Sequence, residues 1–214
     1  MASSRPGSGR LIIMVKEPRL GTVKTRLGRE IGAVAATGFY RCVTANLIRR
    51  LARDRRWHTV LAIAPDNALA SPVWPKDVGR LPQGPGDIGR RMARLLSDGG
   101  SGGPAILVGS DVPGLRASHI AEAFALLRQH SVVFGPAEDG GFWLVGRNSR
   151  IHPGGFFHGV RWSSPHALAD TSKNVAHLSV VFAATLSDVD DLASYHLAAN
   201  AGTRVTPPSS PGAK

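Results

Sequence analysis

The sequence predicts an α/β fold, and three observations carry that expectation. Short continuous apolar runs have the length of strands buried on both faces. A helical face with three-and-four apolar spacing follows the first of them. Turn residues, rich in Gly, Pro and Asp, stand at the carboxyl end of each run. The 214 residues suffice for one substantial domain, expected over residues 10–201 between two disordered tails at 1–9 and 202–214.

Arg10–Val15, R-L-I-I-M-V, reads as the first central strand. The stretch from Lys16 to Leu27, K-E-P-R-L-G-T-V-K-T-R-L, follows it and gathers four positive charges, at Lys16, Arg19, Lys24 and Arg26, into one short turn. A loop that leaves the first strand of an α/β sheet and opens a helix is where such folds bind phosphorylated ligands. From Leu27 the apolar positions Ile31, Val34, Ala35, Phe39, Cys42, Val43, Leu47 and Leu51 predict one long helix, with Cys42 packed on its core face. Lys24 and Arg26 then lie at its amino end, where the helix dipole opposes cations by a few tenths to about 1 kcal/mol. A bound anion reverses that penalty and a solvated basic loop tolerates it, so spacing alone leaves both readings open.

Thr59–Ala64 is a second buried strand ending at Pro65 and Asp66. Pro72, Pro75 and Pro82 forbid a long helix across Asn67–Pro82, which reads as loop with room for one edge strand. Gln83–Met92, Q-G-P-G-D-I-G-R-R-M, turns from glycine-rich loop into a helix that continues through Leu96, with Asp87 as its candidate cap. In the surface loop Asp98–Pro104, G-G-S-G-G matches a nucleophile elbow around Ser101 by letter. The order of elements is wrong for one, since a helix precedes it and the strand Ala105–Val108 follows.

Ala105–Val108 delivers into G-S-D-V-P-G from Gly109, which puts Asp111 where a central strand ends. A carboxylate opposite a basic loop suits Mg²⁺ or Mn²⁺ bridging a diphosphate. It equally suits a cap for the helix Ala117–Gln129 or the turn before Pro113. Val132–Phe134 and Phe142–Val145 read as strands flanking G-P-A-E-D-G-G from Gly135. There Glu138 and Asp139 are candidates to bind metal, a sugar hydroxyl or an attacking acceptor, with a hairpin turn carrying solvated acids as the alternative. Arg161–Pro165 opens a helix over His166–Thr171, and Leu178–Phe182 is the last strand. L-S-D-V-D-D-L from Leu186 opens a final helix through Ala199, with Asp188 or Asp190 as candidates to face the site.

A net charge of +11 raises the question of nucleic acid, but the excess is spread as arginines at 41, 49, 50, 53, 55 and 56 with little aromatic interleaving. A solvated helix face accounts for most of it. No apolar run approaches the roughly 20 residues of a membrane span, and the apolar segment near the start is too short for a signal-peptide core, so a cytoplasmic protein is expected. The single Cys42 allows neither an internal disulfide nor a cysteine metal cluster.

Taken in order, the motifs at Lys16, Gln83, Gly109, Gly135 (G-P-A-E-D-G-G-F-W-L-V-G) and Asp188 (D-V-D-D-L) resemble a bacterial family of GT-A-like proteins. That family was long catalogued as a domain of unknown function, is related to nucleotide-diphospho-sugar transferases, and includes members labelled arsenosugar-biosynthesis glycosyltransferases. Phe142 and Trp143 stand where tyrosines are common in it. The resemblance implies a three-layer α/β/α sandwich, Rossmann-like, with a mostly parallel sheet and a nucleotide at the carboxyl ends of its first strands. It implies that Lys16, Lys24 and Arg26 hold the diphosphate, with the backbone near Gly21 approaching it and Pro18, Thr25, Gly84 and Asp87 completing the nucleotide-binding set. Asp111 would hold Mg²⁺ or Mn²⁺, and Asp139 or Glu138 would deprotonate a small-molecule acceptor as a nucleotide sugar gives up its nucleoside diphosphate. Nucleotidyl transfer from a nucleoside triphosphate, with release of pyrophosphate, and non-catalytic nucleotide binding are the alternatives.

Overall fold

The computed structural model describes residues 9–97 and 102–187. Strands β1 (Gly9–Lys16), β2 (Trp57–Ala64), β3 (Gly79–Pro82), β4 (Ala105–Val108), β5 (Val132–Pro136), β6 (Phe142–Arg147) and β7 (Val180–Phe182) form one sheet in the order β3-β2-β1-β4-β6-β5-β7. β1, β2, β3 and β4 pair in parallel, β5 pairs in parallel with β7, and β6 runs antiparallel to both β4 and β5. The helices are α1 (Thr25–Ile31), α2 (Ala33–Ala52), α3 (Ile88–Ser97), α4 (Ala117–Leu126) and α5 (Ala167–Asn174).

Side-chain alternation along β1 explains the three layers. Leu11, Ile13 and Val15 pack with Leu47, Ile48 and Leu51 of α2 and with Ile120 and Ala123 of α4. Ile12 points to the opposite face, among Met92, Leu95 and Leu96 of α3 and Val175 beyond α5. A central strand covered on both faces must be apolar at every position, and that is why its run is continuous in the sequence.

The expected single helix from Leu27 is two. Gly32, at φ 86°, leaves the helical region, a conformation that costs glycine nothing, and α1 folds against α2 through Leu27, Ala36, Phe39 and Val43. Apolar spacing persists across the break because both pieces feed one cluster. Two positions assigned to the core face are corrected: Val34 and Cys42 are exposed, while Tyr40 and Ile48 are buried. The acidic motif at Asp188, Asp190 and Asp191, the helix through Ala199, Ser101 and both tails lie outside the described residues, except that Gly9 already belongs to β1. No helix among the described residues is long and apolar enough to cross a membrane.

Candidate functional site

The strand order creates the site. From β1 the chain adds β2 and then β3 on one side, and β4 lies on the other, so the carboxyl ends of β1 and β4 bound the crevice where the connections diverge. Ligands of open α/β sheets bind in such crevices. Val108, the last residue of β4, pairs with Ile13, so the following loop leaves the sheet while β1 continues to Lys16. Here a cleft of about 740 Å³ opens, within the range of small-molecule sites. Lys16, Lys24, Thr25, Arg26, Asp111 and Asp139 all line it.

Lys24 is the hinge of the basic loop. It adopts a left-handed conformation, φ 46° and ψ 48°, immediately before α1, uncommon for a residue with a side chain. That backbone sends the amine to Asp111: Nζ donates to Oδ2 at 2.8 Å, with the Lys24 side chain 5% exposed and that of Asp111 36%. Asp111 therefore pairs with the basic loop instead of capping α4, whose cap is Arg116. Lys16 Nζ donates to the Thr22 carbonyl at 2.7 Å, and Arg26 has no ion pair among the described residues.

Beneath the loops, the Lys16 amide donates to the Tyr40 hydroxyl at 2.9 Å, and that hydroxyl shares a 3.1 Å hydrogen bond with Ser110 Oγ. Burial pushes the Tyr40 phenol above its ordinary value, which keeps it protonated and able to serve both neighbours. Gln83 is buried at the end of β3, where its amide donates to Val15 O at 3.0 Å and Ala62 O at 2.9 Å and so ties the ends of β1 and β2 together.

Across the cleft, the β5–β6 connection is a hairpin. Ala137 N donates to Gly141 O at 3.0 Å, and Asp139 Oδ1 accepts the Gly141 N–H at 2.8 Å, which fixes that carboxylate on the cleft wall. Glu138 is exposed and outside the lining. Gly140, at φ 84°, lies against the Pro165 backbone, where a Cβ would collide. Beside it, Arg161 and Asp170 pair at 2.8 Å, holding Trp162 and the left-handed Ser163 over the cleft. Trp162 meets Phe142 edge-on, with ring centroids 6.3 Å apart.

Five of the expected binding or catalytic residues do not reach this cleft. Pro18 lines a separate groove between α2 and residues 72–78. Gly21, at φ 72°, lies outside the lining. Gly84 N donates to Asp66 Oδ1 at 3.0 Å, and Asp87 caps α3 by accepting the Arg90 N–H at 2.8 Å. Glu138 is the fifth. Conversely, Tyr40, Gln83, Ser110, Arg91 and Trp162 line the cleft and were not anticipated. Gln83 and Arg91 carried a signal as members of the Q-G-P-G-D-I-G-R-R-M motif, and Ser110 as a member of G-S-D-V-P-G.

Solved structures that share the fold include the following three. A protein provisionally named a nucleotide-diphospho-sugar transferase, from Desulfovibrio desulfuricans G20, is 25% identical at TM-score 0.83, over 95% of this chain and 92% of that one. A CMP:2-keto-3-deoxy-manno-octonic acid synthetase complexed with CTP is 9% identical at TM-score 0.55, over 91% and 98%. A Mycobacterium tuberculosis H37Rv protein in complex with manganese is 12% identical at TM-score 0.50, over 89% and 97%. No curated protein matches the chain. The profile of one family matches residues 47–164, a stretch that carries β2 to β6 with Asp111 and Asp139, and the chain belongs to that family, described as an uncharacterized protein conserved in bacteria (DUF2064).

Proposed function

We propose that this chain is a glycosyltransferase-like enzyme that takes a sugar from a nucleotide-diphospho-sugar donor. The observation that carries the reading is the meeting of the basic β1 loop and Asp111 at the switch point, where Lys16, Lys24 and Arg26 form the phosphate side. The resemblance to the Desulfovibrio protein, by name a nucleotide-diphospho-sugar transferase, supports it.

Among the described residues no three His, Cys, Asp or Glu side chains converge to hold a metal, and Lys24 already occupies one Asp111 oxygen. Such a donor set fits Mg²⁺ or Mn²⁺ that arrives on nucleotide phosphates and takes only one or two carboxylates from the protein. Asp111 would hold it, with Asp139 the second acid, and when bound it neutralises charge on the departing diphosphate.

In the transfer, an acceptor hydroxyl attacks the anomeric carbon of the donor and its proton passes to Asp139. The bond from that carbon to the diphosphate oxygen breaks, and the electron pair leaves on the nucleoside diphosphate. Lys16, Lys24 and Arg26 stabilise the leaving charge. Thermal-shift screening of nucleoside diphosphates, triphosphates and nucleotide sugars, with and without metal, followed by product analysis, tests the reading. Release of nucleoside diphosphate from a nucleotide sugar supports it. Release of pyrophosphate from a triphosphate replaces it with nucleotidyl transfer, a reading favoured by the two arginines, Arg26 and Arg91, that add charge to the cleft beyond the Lys24–Asp111 pair.

A further inference from the structure

We infer that the second substrate of this cleft is an organic oxyanion, a phosphate or carboxylate on an apolar body, and that Arg91 holds its charged group. Three arginines stand on the first two turns of α3, and two have their charge accounted for. Arg90 Nε lies 3.9 Å from Asp87 Oδ2, and Arg94 donates to Gln83 O at 2.6 Å and Pro85 O at 2.9 Å. Among the described residues the Arg91 side chain donates only through Nε, to Gly86 O at 2.8 Å, and its terminal nitrogens have no partner. The tether fixes the plane of a cleft-lining guanidinium and leaves its two terminal amino groups for an oxyanion, the bidentate geometry in which arginine exceeds lysine.

The surroundings of Arg91 supply the apolar half. Ile88, 37% exposed, lines the same cleft with Met92, Phe142 and Trp162. A Cβ on Gly89 would come within 2.8 Å of Trp162 Cζ2, so α3 is seated directly against that indole. Arg91 and the aromatic wall thus belong to one lobe, whereas Lys16, Lys24 and Arg26 approach from the β1 loop. Resting on the transferase reading above, the charge balance points the same way. Four cationic side chains face two carboxylates in the lining, so a divalent metal and one diphosphate still leave positive charge for an anionic partner.

Calorimetry on the full chain tests this. Protein saturated with nucleoside diphosphate and Mg²⁺ is titrated with phenyl phosphate, benzoate and benzyl alcohol. At least one of the two anions should bind and the alcohol should not, and the stronger of the two identifies the charged group. Arg91→Ala should weaken that anion by about tenfold to a hundredfold, the range for a lost hydrogen bond to a charged group, and leave nucleoside diphosphate affinity within about threefold. Arg91→Lys, which keeps the charge and loses the fork, should fall between, and guards against misfolding of the alanine variant. Equal binding of the alcohol, no binding of either anion, anion binding unchanged in Arg91→Ala, or equal loss of diphosphate binding in that variant would each overturn the inference. If no nucleoside diphosphate binds while phenyl phosphate binds through Arg91, the donor reading falls and the anion site stands.

Discussion

Lys24 Nζ sits 2.8 Å from Asp111 Oδ2, joining loops 87 positions apart across the crevice between β1 and β4. The ammonium is nearly buried and the carboxylate is not, so the lysine is held by the fold and the acid still reaches solvent. One contact therefore joins the phosphate side of the cleft to its acidic side.

Among the described residues Arg26 lines the cleft with no ion pair, whereas Lys24 is paired with Asp111. Arg26→Ala should weaken nucleotide binding by about 1–3 kcal/mol with an unchanged melting temperature, because only a charge-assisted hydrogen bond to ligand is lost. Lys24→Ala should weaken binding by a similar amount and also lower the melting temperature, since it strips Asp111 of its partner. Calorimetry and thermal melts read both, and nucleotide binding unchanged in both variants would refute the phosphate role of the loop.

Lys24 also competes with any cation for Asp111. Wild-type protein should bind Mn²⁺ weakly by electron paramagnetic resonance until nucleotide is added and draws the lysine toward its phosphates. Lys24→Met should bind Mn²⁺ without nucleotide, and Asp111→Asn should lose metal-dependent nucleotide affinity. Full turnover in excess chelator would rule the metal out.

Both adjacent acids are exposed, but Asp139 is pinned to the cleft wall by the Gly141 N–H while Glu138 lies outside the lining. If Asp139 takes the acceptor proton, Asp139→Asn should lower kcat by roughly 10²- to 10⁴-fold while Glu138→Gln stays near wild type. Steady-state consumption of donor distinguishes them, and the reverse ranking would move the base to Glu138.

Hydrogen bonds from the Arg161 side chain, then from its backbone, hold the Asp170 carboxyl well below the usual carboxylate range. A depressed folded value means that the pair stabilises the fold above the ordinary carboxylate pKa of about 3.9 and loses that contribution as pH falls below it. Asp170→Asn should therefore lower the melting temperature modestly at pH 7, and the gap to wild type should narrow only below about pH 4. A gap that is constant down to pH 3 would show that the ion pair is not its source.

Strands were legible because most lie in the interior of the sheet, covered by helices on both faces, which imposes unbroken apolar runs on β1, β2 and β4. Asp111 and the lysine loop were legible for a related reason: ligand-facing groups of this topology collect where strands end. Gly32 was not, since an apolar period passes through a break when both segments serve one cluster. Tyr40 was hidden too, and Arg91 was marked only by the motif that contains it. A tyrosine on a core helix face and an arginine on a surface helix look ordinary until the fold brings one beneath Ser110 and the other against Gly86. Pro18 shows the converse, a residue inside the right motif whose ring the loop turns toward a different groove.

The Tyr40 hydroxyl, which serves Lys16 on one strand end and Ser110 beside Asp111 on the other, has a thermodynamic consequence for whatever enters the cleft. Bringing two loops from distant parts of the chain to a set separation costs conformational entropy, and this helix-borne phenol meets that cost when the protein folds. A ligand spanning the gap then finds both sides already at their working distance, so more of its contact energy survives as affinity.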